Sequence, residues 1–133
     1  MKQEDLLEGY YVEYKNEYVK VIGITRTNHI ILIESKDGNR HLVKDEELNP
    51  IELTNSILEK FEFEVQTDPE VSDKAILDLG DETHYIDLVN EMGGWWYDNF
   101  IVLYNVHDLQ KLLSLCKRWC KHYPYFQKEI ELY

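Results

Sequence analysis

Basic side chains are scarce in this 133-residue chain: 14 Lys and Arg stand against 26 Asp and Glu, a formal net charge of −12. That balance speaks against an electrostatic nucleic-acid binder and a polybasic membrane-surface protein, both of which need clustered cations. Cysteine is nearly absent, with two residues, which excludes a disulfide-dense secreted scaffold. Long apolar runs are also missing. Runs such as Ile30 to Ile33 are strand-sized, far short of the ~20 residues a membrane span requires. Residues 1–8 carry Glu4, Asp5 and Glu8 and no basic-then-apolar leader pattern, so a soluble cytoplasmic protein with reduced thiols is expected.

Apolar residues, by contrast, make up 44% of the chain and aromatics 13%, too rich for a disordered acidic tail. The acidity is uneven. Residues 1–53 hold 7 basic and 11 acidic side chains, residues 54–104 hold 2 and 12, and residues 105–133 hold 5 and 3. The middle segment therefore reads either as a solvated surface that keeps the protein soluble or as an acidic face for a basic partner.

The first third reads as short strands separated by turns. Gly9 to Tyr14 alternates, with Tyr10, Val12 and Tyr14 on one face, and Lys15-Asn16-Glu17 turns into the β-branched run Tyr18 to Ile24. A turn at Arg26-Thr27-Asn28 leads into His29 to Glu34. Asp37-Gly38 signals a hairpin whose returning strand is Arg40 to Val43. Lys44 to Asn49 reads as a polar connection or single helical turn, stopped by Pro50. Four or five strands at 8–12-residue spacing suggest an SH3-like small β-barrel over residues 1–53, with a bulge or bend at Gly23.

Residues 54–133 are expected to form one compact unit: a short helix, an antiparallel β-meander and a C-terminal helix, giving an α+β fold. Thr54 caps a helix running to Phe61. Gln66 to Lys74, polar with Pro69, reads as an exposed loop. Ala75 to Leu79, Thr83 to Val89, Trp95 to Tyr97 and Phe100 to Tyr104 make a meander of three or four strands. Its turns fall at Gly80-Asp81-Glu82, Met92-Gly93-Gly94 and Asp98-Asn99. Val106, Leu109, Leu112/Leu113, Cys116, Trp119/Cys120 and Tyr123 form the apolar stripe of a helix that Pro124 ends.

Cys116 and Cys120 lie one helical turn apart with His122 beside them and His107 upstream, residue types that zinc accepts. A structural zinc site wants four ligands, however, and both cysteines fall on the apolar stripe, where a free thiol packs as a small hydrophobe. No metal or other cofactor is therefore expected. Asp78, Asp81, Glu82, Asp87, Glu91 and Asp98 match no calcium-loop spacing and read as turn and outward strand positions. Gly93-Gly94 lacks the Lys-Ser/Thr of a phosphate loop. No catalytic residues are assigned, and a non-enzyme is expected.

The aromatic residues are the more informative set. Tyr10, Tyr11, Tyr14 and Tyr18 cluster in the first strands, and Trp95, Trp96 and Tyr97 are consecutive on one strand. Neighbours on a strand face opposite sides, so one layer cannot bury both tryptophans. Tyr11, Trp95, Trp96 and Tyr97 are the candidate partner-binding surface, the alternative being that the chain itself covers them. The expected partner is a protein, with no direct nucleic-acid binding and no membrane.

Pro50-Ile51-Glu52-Leu53-Thr54, followed by Ile57-Leu58-Glu59-Lys60 and Phe63-Glu64, resembles a family of small uncharacterised proteins from Bacteroides-type bacteria and their prophages. Tyr104 to Leu112 is similar to that family's closing Val-His-x-Leu-Gln-x-Leu helix. The resemblance implies an SH3-like strand region, a short helix and then a sheet. It assigns no activity and carries over no site residues. The chain departs from it after Leu115, where Cys116 to Tyr133 is longer and more aromatic than a Leu-Thr-Gly-type ending. The reading that results is a non-enzymatic protein-interaction module of prophage origin. The alternative is an acidic nucleic-acid mimic that inhibits a host enzyme.

Overall fold

Two-residue turns set two hairpins of this chain, between paired Tyr14 and Glu17 and between paired Glu91 and Gly94. The Asp98-Asn99 turn takes in Phe100 as well, because Tyr97 pairs with Ile101. Lys15-Asn16, Met92-Gly93 and Asp98-Asn99 have positive φ at both positions: 48° and 64°, 50° and 81°, 53° and 66°. That backbone twist matches the right-handed twist of antiparallel strands, so each turn locks the register on either side of it. The computed structural model describes residues 1–25 and 27–133. The expected turn at 26–28 lies partly outside them, at Arg26.

The chain divides into two units: residues 1–52, 105–107 and 133, and residues 53–104 with 108–132. The first holds β1 (Tyr11–Tyr14), β2 (Glu17–Ile24), β3 (Ile30–Glu34) and β4 (Arg40–Lys44), antiparallel in the order β1-β2-β3-β4. Its register aligns Val12 with Val19, Val21 with Ile33 and Ile31 with Val43, so one apolar face gathers around these residues with Leu6 and Leu48. Ile31 and Ile33, fully buried, each contribute about 1.5–3 kcal/mol of burial. The pairing slips between Val21 and Gly23, the bulge expected at Gly23.

The hairpin signalled by Asp37-Gly38 is present: Glu34 and Arg40 are the last strand pair, and Ser35 to Asn39 form its loop, in which the Ser35 amide donates to Asn39 O at 2.9 Å. One expectation for this unit needs correction: among the described residues the sheet does not close into a barrel. After a 3₁₀ turn at Asp45–Glu47, only an isolated bridge links Asn49 to Glu13, through amide–carbonyl bonds of 2.8 and 2.9 Å.

The second unit starts with α1 (Asn55–Lys60), where Thr54 Oγ1 accepts from the Ile57 amide at 3.3 Å, the expected cap. It continues as a five-stranded meander: β5 (Glu64–Gln66), β6 (Lys74–Asp78), β7 (Tyr85–Glu91), β8 (Gly94–Tyr97) and β9 (Ile101–Leu103), paired in chain order. This is one strand more than the sequence suggests, because three-residue β5 has no pattern of its own. The fold is thus α+β, with two antiparallel sheets and one main C-terminal helix.

That helix, α2 (Val106–Cys120), buries Leu109, Leu112 and Leu113, but Trp119 is 85% exposed. The expected stripe therefore stops short of Trp119. The helix also ends at Cys120, before Pro124, which opens a 3₁₀ turn at Pro124–Gln127 that buries Tyr125 and Phe126. This tail seats against the β6–β7 loop. Tyr125 donates its amide to Leu79 O at 3.2 Å, and a Cβ on Gly80 (φ 94°) would stand 2.8 Å from Pro124 Cβ, so no side chain fits there. Among the described residues no helix is long and apolar enough to cross a membrane.

Candidate functional site

The four aromatic residues singled out in the sequence do not share a surface. Tyr11 is 2% exposed and meets the ring of Tyr133 edge-on at 5.2 Å. Both faces of β1 are therefore covered, not the single face its alternation suggests. In the other unit Trp95 is 3% exposed and points inward with Leu103 opposite it. Tyr97 shares that inner face and is half-buried. Its phenol is pushed up, first by burial and then by the Cys116 thiol and the Asp98 carboxylate. The side of the sheet bearing Tyr97 is thus the side facing α2.

Only Trp96 faces out. Strand register places Lys74, Val89, Trp96 and Val102 in one row across β6 to β9, with Ile76 and Asp87 paired in the next. Tyr104 extends this face. Its ring lies over Gly94, where a Cβ would stand 3.0 Å from Tyr104 Cε1 and 2.5 Å from Val102 Cγ2. Tyr104 keeps 51% of its surface exposed, and Ile76, Val89, Trp96 and Val102 are half-buried. Trp96 Nε1 donates to Glu91 O at 2.9 Å, which ties the indole to the end of the neighbouring strand β7. Four carboxylates lie on the same face by register: Glu64, Asp78, Asp87 and Glu91. An apolar, partly aromatic row rimmed by negative charge is the result. Of its members the sequence alone singled out Trp96; Ile76, Val89, Val102 and Tyr104 join it only once the pairing register is known.

The acidic residues of the middle segment otherwise disperse. Asp81 accepts from the amides of Thr83 and His84 at 3.1 and 2.7 Å and pairs with the His84 ring, while the Tyr123 hydroxyl lies 3.3 Å from His84 Nδ1. Burial works against ionisation of Asp81, but these donors prevail and hold its carboxyl down to about 2. Asp81, His84 and Tyr123 thus tie the β6–β7 loop to the tail.

A second carboxylate–imidazole pair occupies the first unit, where His29 Nδ1 donates to Asp45 Oδ2 at 2.9 Å. That bond is the main reason the Asp45 carboxyl lies below its ordinary value. His29 lines two open clefts of about 740 Å³ each, one with Gln3, Leu7 and Ile24, the other with Lys2, Lys44 and Asp45. An oriented imidazole can carry a proton, but among the described residues no hydroxyl or thiol belongs to the lining of either cleft.

The Cys116 thiol is not activated. Both cysteines are free, and burial followed by the neighbouring Cys120 pushes the Cys116 thiol up, opposite to what a nucleophile needs. His122 packs edge-on against Tyr123 at 4.4 Å, and His107 lies 5.9 Å from the Tyr10 ring. Among the described residues no group of three or more His, Cys, Asp or Glu is placed to hold a metal ion. Comparison with known proteins gives no match to a family model, to a curated protein or to a solved structure.

Proposed function

We propose that this chain is a non-enzymatic, cytoplasmic protein-interaction module of the prophage-associated type it resembles, and that it engages its partner through the outer face of the β5–β9 sheet. The observation that carries this reading is the row of Val89, Trp96 and Val102, extended by Tyr104, left open on the sheet face and rimmed by Glu64, Asp78, Asp87 and Glu91. Aromatic side chains anchor interfaces because they bury much area for little lost rotamer freedom. The rim selects a partner segment carrying Lys or Arg, whose aliphatic stems suit the row and whose charges suit the carboxylates.

The four-stranded unit is read as an SH3-like strand region. Support comes from the Gly23 bulge, the 3₁₀ turn after β4 and the return of Asn49 to β1. The alternative, an acidic mimic of a nucleic-acid backbone, draws on the same four carboxylates. Its support is weaker, because the apolar row runs between them and a phosphate backbone has no such row.

The test is affinity purification from the native host with wild type, Trp96→Ala and Glu91→Lys side by side. The expected result is one protein retained near stoichiometry by wild type and lost with either substitution. Retention undiminished in both variants sinks the proposed face. A captured nucleic-acid enzyme that DNA displaces selects the mimic instead.

A further inference from the structure

Positive charge is rare in this chain, so where it stands beside apolar surface is informative. Along α2, Gln110, Leu113, Ser114 and Lys117 recur at three- and four-residue spacing and share one stripe of the helix. The stripe walls a groove of about 320 Å³, which the tail closes on the far side with Phe126, Lys128 and Ile130 and Phe61 lines below. That volume sits at the small end of ligand pockets, which run from about 300 to 1,000 Å³. It is too small for a docked helix and large enough for a compact organic molecule.

The groove is firmly built. Tyr125 donates its hydroxyl to Phe61 O at 3.1 Å, joining tail to helix α1, and burial raises this phenol far above its ordinary value, so it stays neutral. Leu113, Phe126 and Phe61 are buried and give an apolar floor. Two ammonium groups stand at the rim. Lys128 already serves Glu62, with Nζ at 3.1 and 3.3 Å from its two oxygens. Lys117 makes no ion pair among the described residues.

We propose that this groove binds a small amphipathic monocarboxylate, its apolar body on Phe61, Leu113, Phe126 and Ile130 and its carboxylate on Lys117. A single negative charge is favoured over a dianion because one rim lysine is free and the other is neutralised by Glu62, whose carboxylate would repel a second charge. The chain's overall negative charge does not override this local match, since charges beyond about 8 Å are largely screened at physiological salt. The site is independent of the sheet face proposed above.

The test uses the full chain, titrated with sodium decanoate below its micelle-forming concentration and followed by amide chemical shifts. Decyltrimethylammonium, with the same tail and the opposite head, is titrated in parallel. Saturable shifts are expected at Leu113, Ser114, Lys117, Phe126 and Ile130 with decanoate and not with the cation. Lys117→Gln should weaken decanoate binding about tenfold. Ser114→Phe, which fills the groove from an exposed helix position, should abolish it. Shifts that rise linearly without saturating, shifts centred elsewhere, equal binding of the cation, or undiminished affinity in Lys117→Gln each overturn the proposal. An unchanged far-ultraviolet circular dichroism spectrum in both variants confirms that a loss reports on the groove.

Discussion

At Asp81 two backbone amides and an imidazole converge on one carboxylate, and the consequence is a pH dependence with a defined sign. Its carboxyl is held at about 2 in the folded chain, whereas an unfolded Asp titrates near 3.9. The unfolded state therefore binds more protons between these values, and stability falls as pH drops from about 4 to about 2. Acid titration by circular dichroism should show this loss in wild type, and Asp81→Asn should flatten that part of the curve. Gly94 makes a second single-residue prediction. A methyl group there meets Val102 and Tyr104, so Gly94→Ala should cost about 1–3 kcal/mol and lower the melting temperature. Tyr11 and Trp95 show the limit of reading residues singly. Each is aromatic on a strand, and nothing in the local pattern states that Tyr133 covers the one and that the other faces inward.

Elements were legible in proportion to how local their causes are. The Lys15-Asn16 and Asp98-Asn99 turns, the Thr54 cap and the alternation of Tyr85 and Asp87 against Ile86 and Leu88 all follow from neighbours in the chain. Removing the cap in Thr54→Ala should cost about 1 kcal/mol in urea unfolding, since α1 has only six residues over which to hold its register. The misreadings come from non-local causes. Three-residue β5 exists because β6 pairs with it, and Trp119 lies beyond the part of the helix stripe that is covered. The outer row of Val89, Trp96 and Val102 belongs to the same class. Periodicity assigns each residue a face, but only the strand register brings the three together.

For the whole molecule the net charge of −12 acts as self-repulsion. Carboxylates on the outer sheet face, Glu64, Asp78, Asp87 and Glu91, share that face by register with one strand cation among the described residues, Lys74, which stands in the row of Val89 and Trp96. Added salt should therefore raise stability by screening this repulsion, since the few surface ion pairs it also weakens are individually worth little. Thermal melts between about 0.02 and 0.5 M sodium chloride should show the melting temperature rising, with most of the change complete once the Debye length falls below about 8 Å. A falling melting temperature would mean that the remaining ion pairs outweigh the repulsion.

The first unit draws on residues 1–52, on 105–107 and on Tyr133, with Glu52 bridged to Asn105 and the Tyr133 ring set against Tyr11. On the ribosome this unit is therefore begun first and finished last. Eighty-one residues separate Glu52 from Tyr133, a delay of roughly 4–16 s at ordinary elongation rates. During that interval the second unit, nearly contiguous in sequence, gathers all its strands, while the first, whose four strands emerged earlier, still waits for residues 105–107 and Tyr133.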